Sequence, residues 1–215
     1  MQILTVSDVV LETIYRVGLK ERFPGVELVL SCGDLPFYYL DFIASSLNVP
    51  LYYVLGNHTE EATLGDAAPD HPSLAMGTNL DGRVINCCGL LIAGLEGSMW
   101  YNGEPHQYTE GEMRAKILRL EPSLWLNRLR YGRALDILIT HAPPYRIHDG
   151  DDQCHRGFRS FLGLMDRHAP RYLIHGHKHI YNPQETTITT YQQTTVINTA
   201  GYRLLDIEIP LADGE

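Results

Sequence analysis

Cysteine is scarce in this chain: 215 residues contain four, at positions 32, 87, 88 and 154. They form no C-x-x-C pair, so nothing suggests a zinc knuckle, and the neighbours Cys87 and Cys88 would face opposite sides of a strand rather than pair. Reduced thiols in a cytoplasm are the expectation. Basic residues are outnumbered, 17 Lys and Arg against 26 Asp and Glu, giving a formal charge of −9. That balance argues against a duplex nucleic-acid binder, which needs a basic face to release counterions. It leaves an anionic substrate open, because bound divalent cations make a site locally positive whatever the net charge. Also missing is any apolar run near the ~20 residues of a membrane span, and the opening MQILTVSDVV lacks the basic stretch of a signal peptide. What is left, 44% hydrophobic and 20% charged, is ordinary globular composition. The length suits one domain over residues 1–215.

The first part of the chain alternates. QILTVSD reads as a buried strand, LETIYRVGLKERF as a helix ended by Pro24, VELVLSCGD as a second strand, PFYYLDFIASSLN as a helix and PLYYVLGNH as a third strand. Strand–helix–strand order with continuous apolar strands implies parallel pairing under helices. Residues 59–82, rich in Gly, Pro, Asp and Ala, read as an irregular excursion. RVINCCGLLIAGLEG is a hairpin about Gly89, and TEGEMRAKIL opens a helix with a capping box, Thr109 and Glu112. Pro122 is expected to break that helix and start another. ALDILITHAPP and YLIHGHKH are again strand followed by polar residues, and the β-branched tail from Thr186 reads as antiparallel strands.

Five strand ends therefore carry candidate ligands: Asp8; Asp34; Asn57 with His58; His141; and His177 with His179. Singly each has an ordinary explanation, such as a helix N-cap for Asp8 or a turn for Gly33-Asp34. Jointly they fall where open α/β sheets bind ligands, beyond the carboxyl ends of the strands. Mixed imidazole and carboxylate donors suit borderline cations such as Mn, Fe and Zn.

The blocks SDVV, CGDLP, LGNHTE, ITHAPP and HGHKH, in that order between residues 7 and 179, resemble the calcineurin-like metallophosphoesterases, in particular small single-domain prokaryotic members. The resemblance implies an α/β fold, two mixed β-sheets packed as a sandwich and flanked by helices, with a two-metal site along one edge. It implies that Asp34 bridges both ions, that Asn57, His141 and His177 complete the second site, and that Asp8 and His179 belong to the first. His58 is implied as proton donor to the leaving group. Gly176 is expected to permit a tight turn before His177, and His175 has no place in the pattern. The chemistry implied is attack on a phosphate ester by metal-activated hydroxide, with one or two divalent ions per chain: manganese by preference, iron, nickel or zinc as alternatives.

Two departures from the pattern stand out. The usual Asp-x-His is Asp8-Val9-Val10 here, so a first-site imidazole is missing, and Phe37 stands where some relatives carry a polar or tyrosine ligand, with Tyr38 and Tyr39 just beyond. The acid that commonly follows the proton donor is replaced by Thr59, leaving Glu60 to orient His58. Two loops, GLEGSMWYNGEPHQYTE and HDGDDQCHRGF, follow strands near the same edge and bring Trp100, Tyr101, Asn102, His106, His148 and His155 as candidate substrate contacts. The expected function is a phosphoesterase, by preference a phosphodiesterase on a small substrate, with no membrane attachment. Its rivals are a non-catalytic metal-binding scaffold of the same fold and a nuclease acting on single-stranded or oligonucleotide substrates.

Overall fold

In the computed structural model, which describes residues 1–58, 77–182 and 184–210, two mixed sheets pack face to face with helices on both outer faces. The first sheet has the order β13-β1-β2-β3-β4, from Gly201–Asp206, Gln2–Ser7, Val26–Ser31, Leu51–Tyr53 and Gly77–Asn79. The strands from β1 to β4 are mutually parallel, and β13 runs antiparallel to β1. The second sheet has the order β11-β12-β10-β9-β6-β5, from Ile188–Tyr191, Thr194–Asn198, Tyr172–His175, Ile137–Thr140, Leu90–Leu95 and Val84–Cys87. A two-strand ribbon, β7 (Ser98–Met99) with β8 (Gln107–Tyr108), stands apart.

Strand periodicity explains the layering. Ile3, Leu28, Leu30 and Val54 point inward and meet Ile92, Ile137, Ile139 and Ile174 of the facing sheet. Their neighbours Leu4, Val6 and Val29 point outward, against Leu40, Ile43, Ala44 and Leu47 of helix α2 (Phe37–Leu47). Leu138 and Leu173 do the same against α3 (Glu110–Tyr131) and α4 (Arg159–His168). Strands covered on both faces must be apolar at every position, and so these read as unbroken hydrophobic runs.

Several local expectations hold. Thr109 and Glu112 form the capping box at the start of α3, and Cys88 and Gly89, both at positive φ, make the two-residue turn between β5 and β6. All four cysteines are free. Others are corrected. The stretch 11–23 is helical only over α1, Leu19–Arg22, because Gly18 sits at φ +84 and interrupts it. Helix α3 runs straight through Pro122, which lies on the exposed face. The carbonyl that proline leaves unpaired belongs to exposed Leu118, while buried Leu120 and Leu124 hold both halves on the core. Within the excursion expected at 59–82, residues 77–79 form β4, and residues 59–76 lie outside the described set. In the tail, β12 pairs parallel with β10 as well as antiparallel with β11.

Candidate metal centre

The carboxyl ends of β1, β2 and β3 meet those of β9 and β10 across the seam between the sheets. Within each sheet backbone hydrogen bonds tie neighbouring ends together: Asp8 N–H to the Gly33 carbonyl at 3.2 Å in the first, and Gly176 N–H to the His141 carbonyl at 3.1 Å in the second. Asp8, Asp34 and His177 all adopt positive φ, at 64°, 53° and 66°. That conformation costs a non-glycine residue on the order of 1–3 kcal/mol and persists only where the surroundings impose it. The turn before His177 is thus made by His177 itself. Gly176 is needed for another reason: a Cβ there would lie 2.5 Å from Asp8 Oδ2 and from Ser7 Oγ.

Asp34, His141 and His177 come together, one donor atom of each lying within 4.8 Å of the others. His141 is fully buried, and its Nδ1 donates to the Cys32 carbonyl at 2.8 Å, which leaves Nε2 as the acceptor nitrogen. That nitrogen faces Asp34 Oδ2 at 3.1 Å and Asn57 Oδ1 at 3.1 Å. The amide of Asn57 is oriented by Tyr101, whose hydroxyl accepts from Nδ2 at 3.2 Å. Three lone pairs therefore converge on one point, an arrangement that requires positive charge, either a ring proton or a cation. In the bare protein the proton serves: burial by itself would lower His141, but the Asp34 carboxylate outweighs it and raises the imidazole to about 9. Reciprocally, burial would raise Asp34, yet His141 and the His58 backbone N–H hold it well below the usual carboxylate range. A divalent ion fits the same point with the donor set that borderline cations favour.

His177 is held by its Nε2, which donates to the Cys154 carbonyl at 2.6 Å and so leaves Nδ1 with the free lone pair. Burial, with the nearby His141 charge, pushes it down to about 3, so it is neutral and able to ligate. Asp8 is raised by burial despite His141, and its oxygens accept from Ser7 Oγ at 2.5 Å and His177 N–H at 2.9 Å. Among the described residues, Asp8 and His179 fall outside the close Asp34–His141–His177 group, and His179 stacks on Tyr181 with centroids 5.9 Å apart. His58 is exposed beside Asp34, to which its backbone N–H donates at 2.9 Å. Glu60 lies outside the described residues.

The remaining candidates divide. Tyr101 reaches the site, on a loop whose N–H groups at 101, 102 and 103 all donate to Gln107 Oε1 at 3.1–3.2 Å. His155 reaches it too, its ring 5.1 Å from that of His177. His148 does not: it lies against His175 and Thr189, at 3.1 and 2.8 Å. His106 is engaged by buried Glu96 at 3.2 Å, a carboxylate also contacted by Tyr108 and Lys116. Asn102 closes on Gln107 and Trp100 is exposed. Tyr39 is buried and its hydroxyl accepts from Leu11 N–H at 3.4 Å, next to Val10, while Tyr38 packs edge-on against Tyr15 and Phe37 packs on Tyr53. The carbonyls of Cys32 and Cys154, which set the two imidazoles, could not be found in the sequence, because backbone groups carry no residue-type signal.

Comparison with known proteins agrees with this geometry. A family model described as calcineurin-like phosphoesterase matches residues 1–181. No curated protein matches the chain. Among solved structures, TT1561 of Thermus thermophilus superposes with a TM-score of 0.64 at 20% identity, over 95% of this chain and 93% of that one. A phosphopantetheinyl hydrolase from Mycobacterium tuberculosis gives 0.55 at 13% identity, over 93% and 89%. GAP50 of Plasmodium, described as the anchor in the inner membrane complex, gives 0.53 at 14% identity, over 92% and 70%. At these identities the structures establish a shared fold. No helix among the described residues is long and apolar enough to cross a membrane.

Proposed function

Because this chain belongs to the calcineurin-like phosphoesterase family, matching its model over residues 1–181, we propose that it is a metal-dependent phosphoesterase acting preferentially on diesters. The observation that carries the reading is the convergence of His141 Nε2, Asp34 Oδ2 and Asn57 Oδ1, at 3.1 Å on either side of the imidazole, on a point that demands positive charge. Asp34, Asn57, His141 and His177 would hold one ion, and Asp8 and His179 would contribute, with Asp34, to a more open first site that lacks an imidazole at Val10. Two divalent ions, once bound, would neutralise the phosphate charge and lower the pKa of water between them.

The chain's own residues do the rest. Cys32 and Cys154 carbonyls fix the imidazole orientations, so the donors are preorganised and do not rearrange on loading. Tyr101 holds Asn57 with its oxygen, rather than its NH2, toward the centre. His58, whose backbone N–H donates to Asp34 and whose side chain is exposed, would give a proton to the departing alkoxide. Monoesters carry more charge and gain more from a complete first site, which is why the proposal favours diesters. Manganese is the preferred ion. A cytoplasmic location is proposed from the four free thiols.

The test is to strip the protein of metal and follow hydrolysis of bis(p-nitrophenyl) phosphate as manganese is returned. Turnover should rise in two phases, a tight second site followed by a weak first one. A rival reading, a metal-binding scaffold, draws on the missing first-site imidazole. Absence of turnover with manganese, iron, nickel and zinc alike would leave that reading standing.

A further inference from the structure

We propose that Asp152, Cys154 and His155 form a separate mononuclear site for a borderline divalent cation such as zinc or cobalt, beside the Asp34–His141–His177 group. One donor atom from each lies within 4.8 Å of the others. Asp152 Oδ1 stands 2.8 Å from Cys154 Sγ and 2.9 Å from His155 Nδ1, and Sγ stands 3.2 Å from Nδ1. Asp152 Oδ1 accepts from the Cys154 thiol, from the His155 ring and from the His155 backbone N–H at 3.0 Å, so the carboxylate gathers thiol and imidazole around one point. A cation between the three atoms would satisfy all of them. Ligands around tetrahedral zinc stand about 3.3–3.7 Å apart, for bonds of about 2.0 Å to N or O and 2.3 Å to S. The trio needs to open by about 0.3–0.7 Å, most of it between Asp152 Oδ1 and Cys154 Sγ.

The geometry is held from outside the trio. A Cβ on Gly150 would lie 2.8 Å from His155 Cβ and 3.2 Å from Asp152 Oδ2, so the glycine leaves room for the cluster. Gln153 Nε2 donates to the Trp100 carbonyl at 3.0 Å, Gly150 N–H to the His155 carbonyl at 2.9 Å, and the His155 ring packs on His177. Thiolate, imidazole and carboxylate are a zinc-like set, and three protein ligands leave a fourth position for water or a substrate oxygen. In the bare protein burial and Asp152 push the Cys154 thiol to about 11, so it is protonated. Binding releases the thiol proton to solvent and takes the His155 imidazole in its Nε2–H tautomer, so that Nδ1 offers its lone pair, and the charges of thiolate and carboxylate balance the cation. Because the Cys154 carbonyl accepts from His177 Nε2, a cation here would stiffen one support of the neighbouring centre. The search for paired cysteines in the sequence passes over such a site, since one cysteine suffices.

Cobalt(II) titration of the full chain tests this independently of phosphoesterase activity, because the neighbouring centre has no sulfur donor. A sulfur-to-cobalt charge-transfer band should appear and saturate at an intensity that corresponds to one sulfur-ligated cobalt per chain. Cys154→Ser should abolish it, and Asp152→Asn and His155→Ala should each weaken cobalt affinity more than about 10-fold. The band should survive in His141→Ala and in the Cys87→Ser/Cys88→Ser double variant. No band in the unmodified chain, or a band that survives Cys154→Ser, would overturn the proposal. Loss of the band with His141→Ala would overturn the separateness of the site.

Discussion

The two sheets contribute different chemistry to the seam they share. The first ends its strands in oxygen donors, Asp8 after β1, Asp34 after β2 and Asn57 after β3; the second ends β9 and β10 toward His141 and His177, which are nitrogen donors. The oxygen side is reached by backbone N–H groups, from His58 to Asp34 and from His177 to Asp8. The nitrogen side is deeply buried and set by carbonyls, from Cys32 for His141 and from Cys154 for His177. Neither sheet alone offers the mixed donor set that borderline cations favour. A mixed-donor centre at this edge depends on the packing of one sheet against the other, and that dependence can be attacked from either side.

The largest effect is expected on the nitrogen side. His177→Ala should lose tightly bound manganese and turnover together, read by metal analysis and by diester hydrolysis; full activity in this variant would remove His177 from the site. His58→Ala should separate binding from chemistry: metal content stays, while turnover of substrates with poor leaving groups falls by about 10²-fold or more. With p-nitrophenolate leaving the loss should be much smaller. Equal losses for both would mean that His58 does not donate the proton.

Packing between the two sides is probed by contrasting two glycines. A Cβ on Gly56 would lie 2.0 Å from Asp34 Oδ1 and 2.7 Å from His141 Cε1, whereas one on Gly163 of α4 meets nothing within 4 Å. Gly56→Ala should therefore destabilise by about 1–3 kcal/mol and displace the donors. Gly163→Ala should stabilise by about 0.4–1 kcal/mol through lost chain entropy. Thermal melts check both. Tyr101→Phe should cost on the order of 1 kcal/mol of metal affinity, or several-fold in Kd, by freeing the Asn57 amide to rotate.

The smallest effect belongs to Glu96 and His106, away from the seam. Burial would raise Glu96 from its ordinary 4.5, but His106, Tyr108 and Lys116 lower it, and the hydrogen bond that His106 donates to Glu96 raises His106 above 6.5. The Glu96 contribution is present above about 4.5 and is lost as pH falls through its depressed value. The His106 contribution is full below about 6.5 and fades as pH rises through its elevated value. The pair therefore supports stability best between those limits. Glu96→Gln should flatten the Tm profile on both flanks; unchanged slopes would show that the pair is not coupled to folding.

Much of this was legible in the chain. Unbroken apolar runs ending in Asp, Asn or His marked the strands and the ends that carry the candidate donors, because a doubly covered strand must be apolar throughout and its first polar residues mark the exit from the core. The capping box at Thr109 and the turn at Cys88-Gly89 were readable for local reasons. Three features were not. Pro122 looked like a break because proline removes a donor, but exposure of that face and burial of Leu120 and Leu124 kept one helix. His148 and His106 looked like site residues because they lie on the right loops, but His175, Thr189 and Glu96 claim their ring nitrogens. Leu19–Arg22 is all that forms of a longer expected helix, since Gly18 takes a positive φ.

By itself the sequence determined which donors exist and on which strand ends they fall, since strand period and residue type are local properties. Only the tertiary structure decided which donors meet. It brought Asp34 of one sheet to His141 of the other, turned the Asn57 oxygen inward through Tyr101, and left one ring nitrogen of each histidine facing the centre by engaging the other with a backbone carbonyl distant in the chain. The physical reason is that distance and orientation across the seam are set by the packing of two apolar faces, which no local stretch encodes.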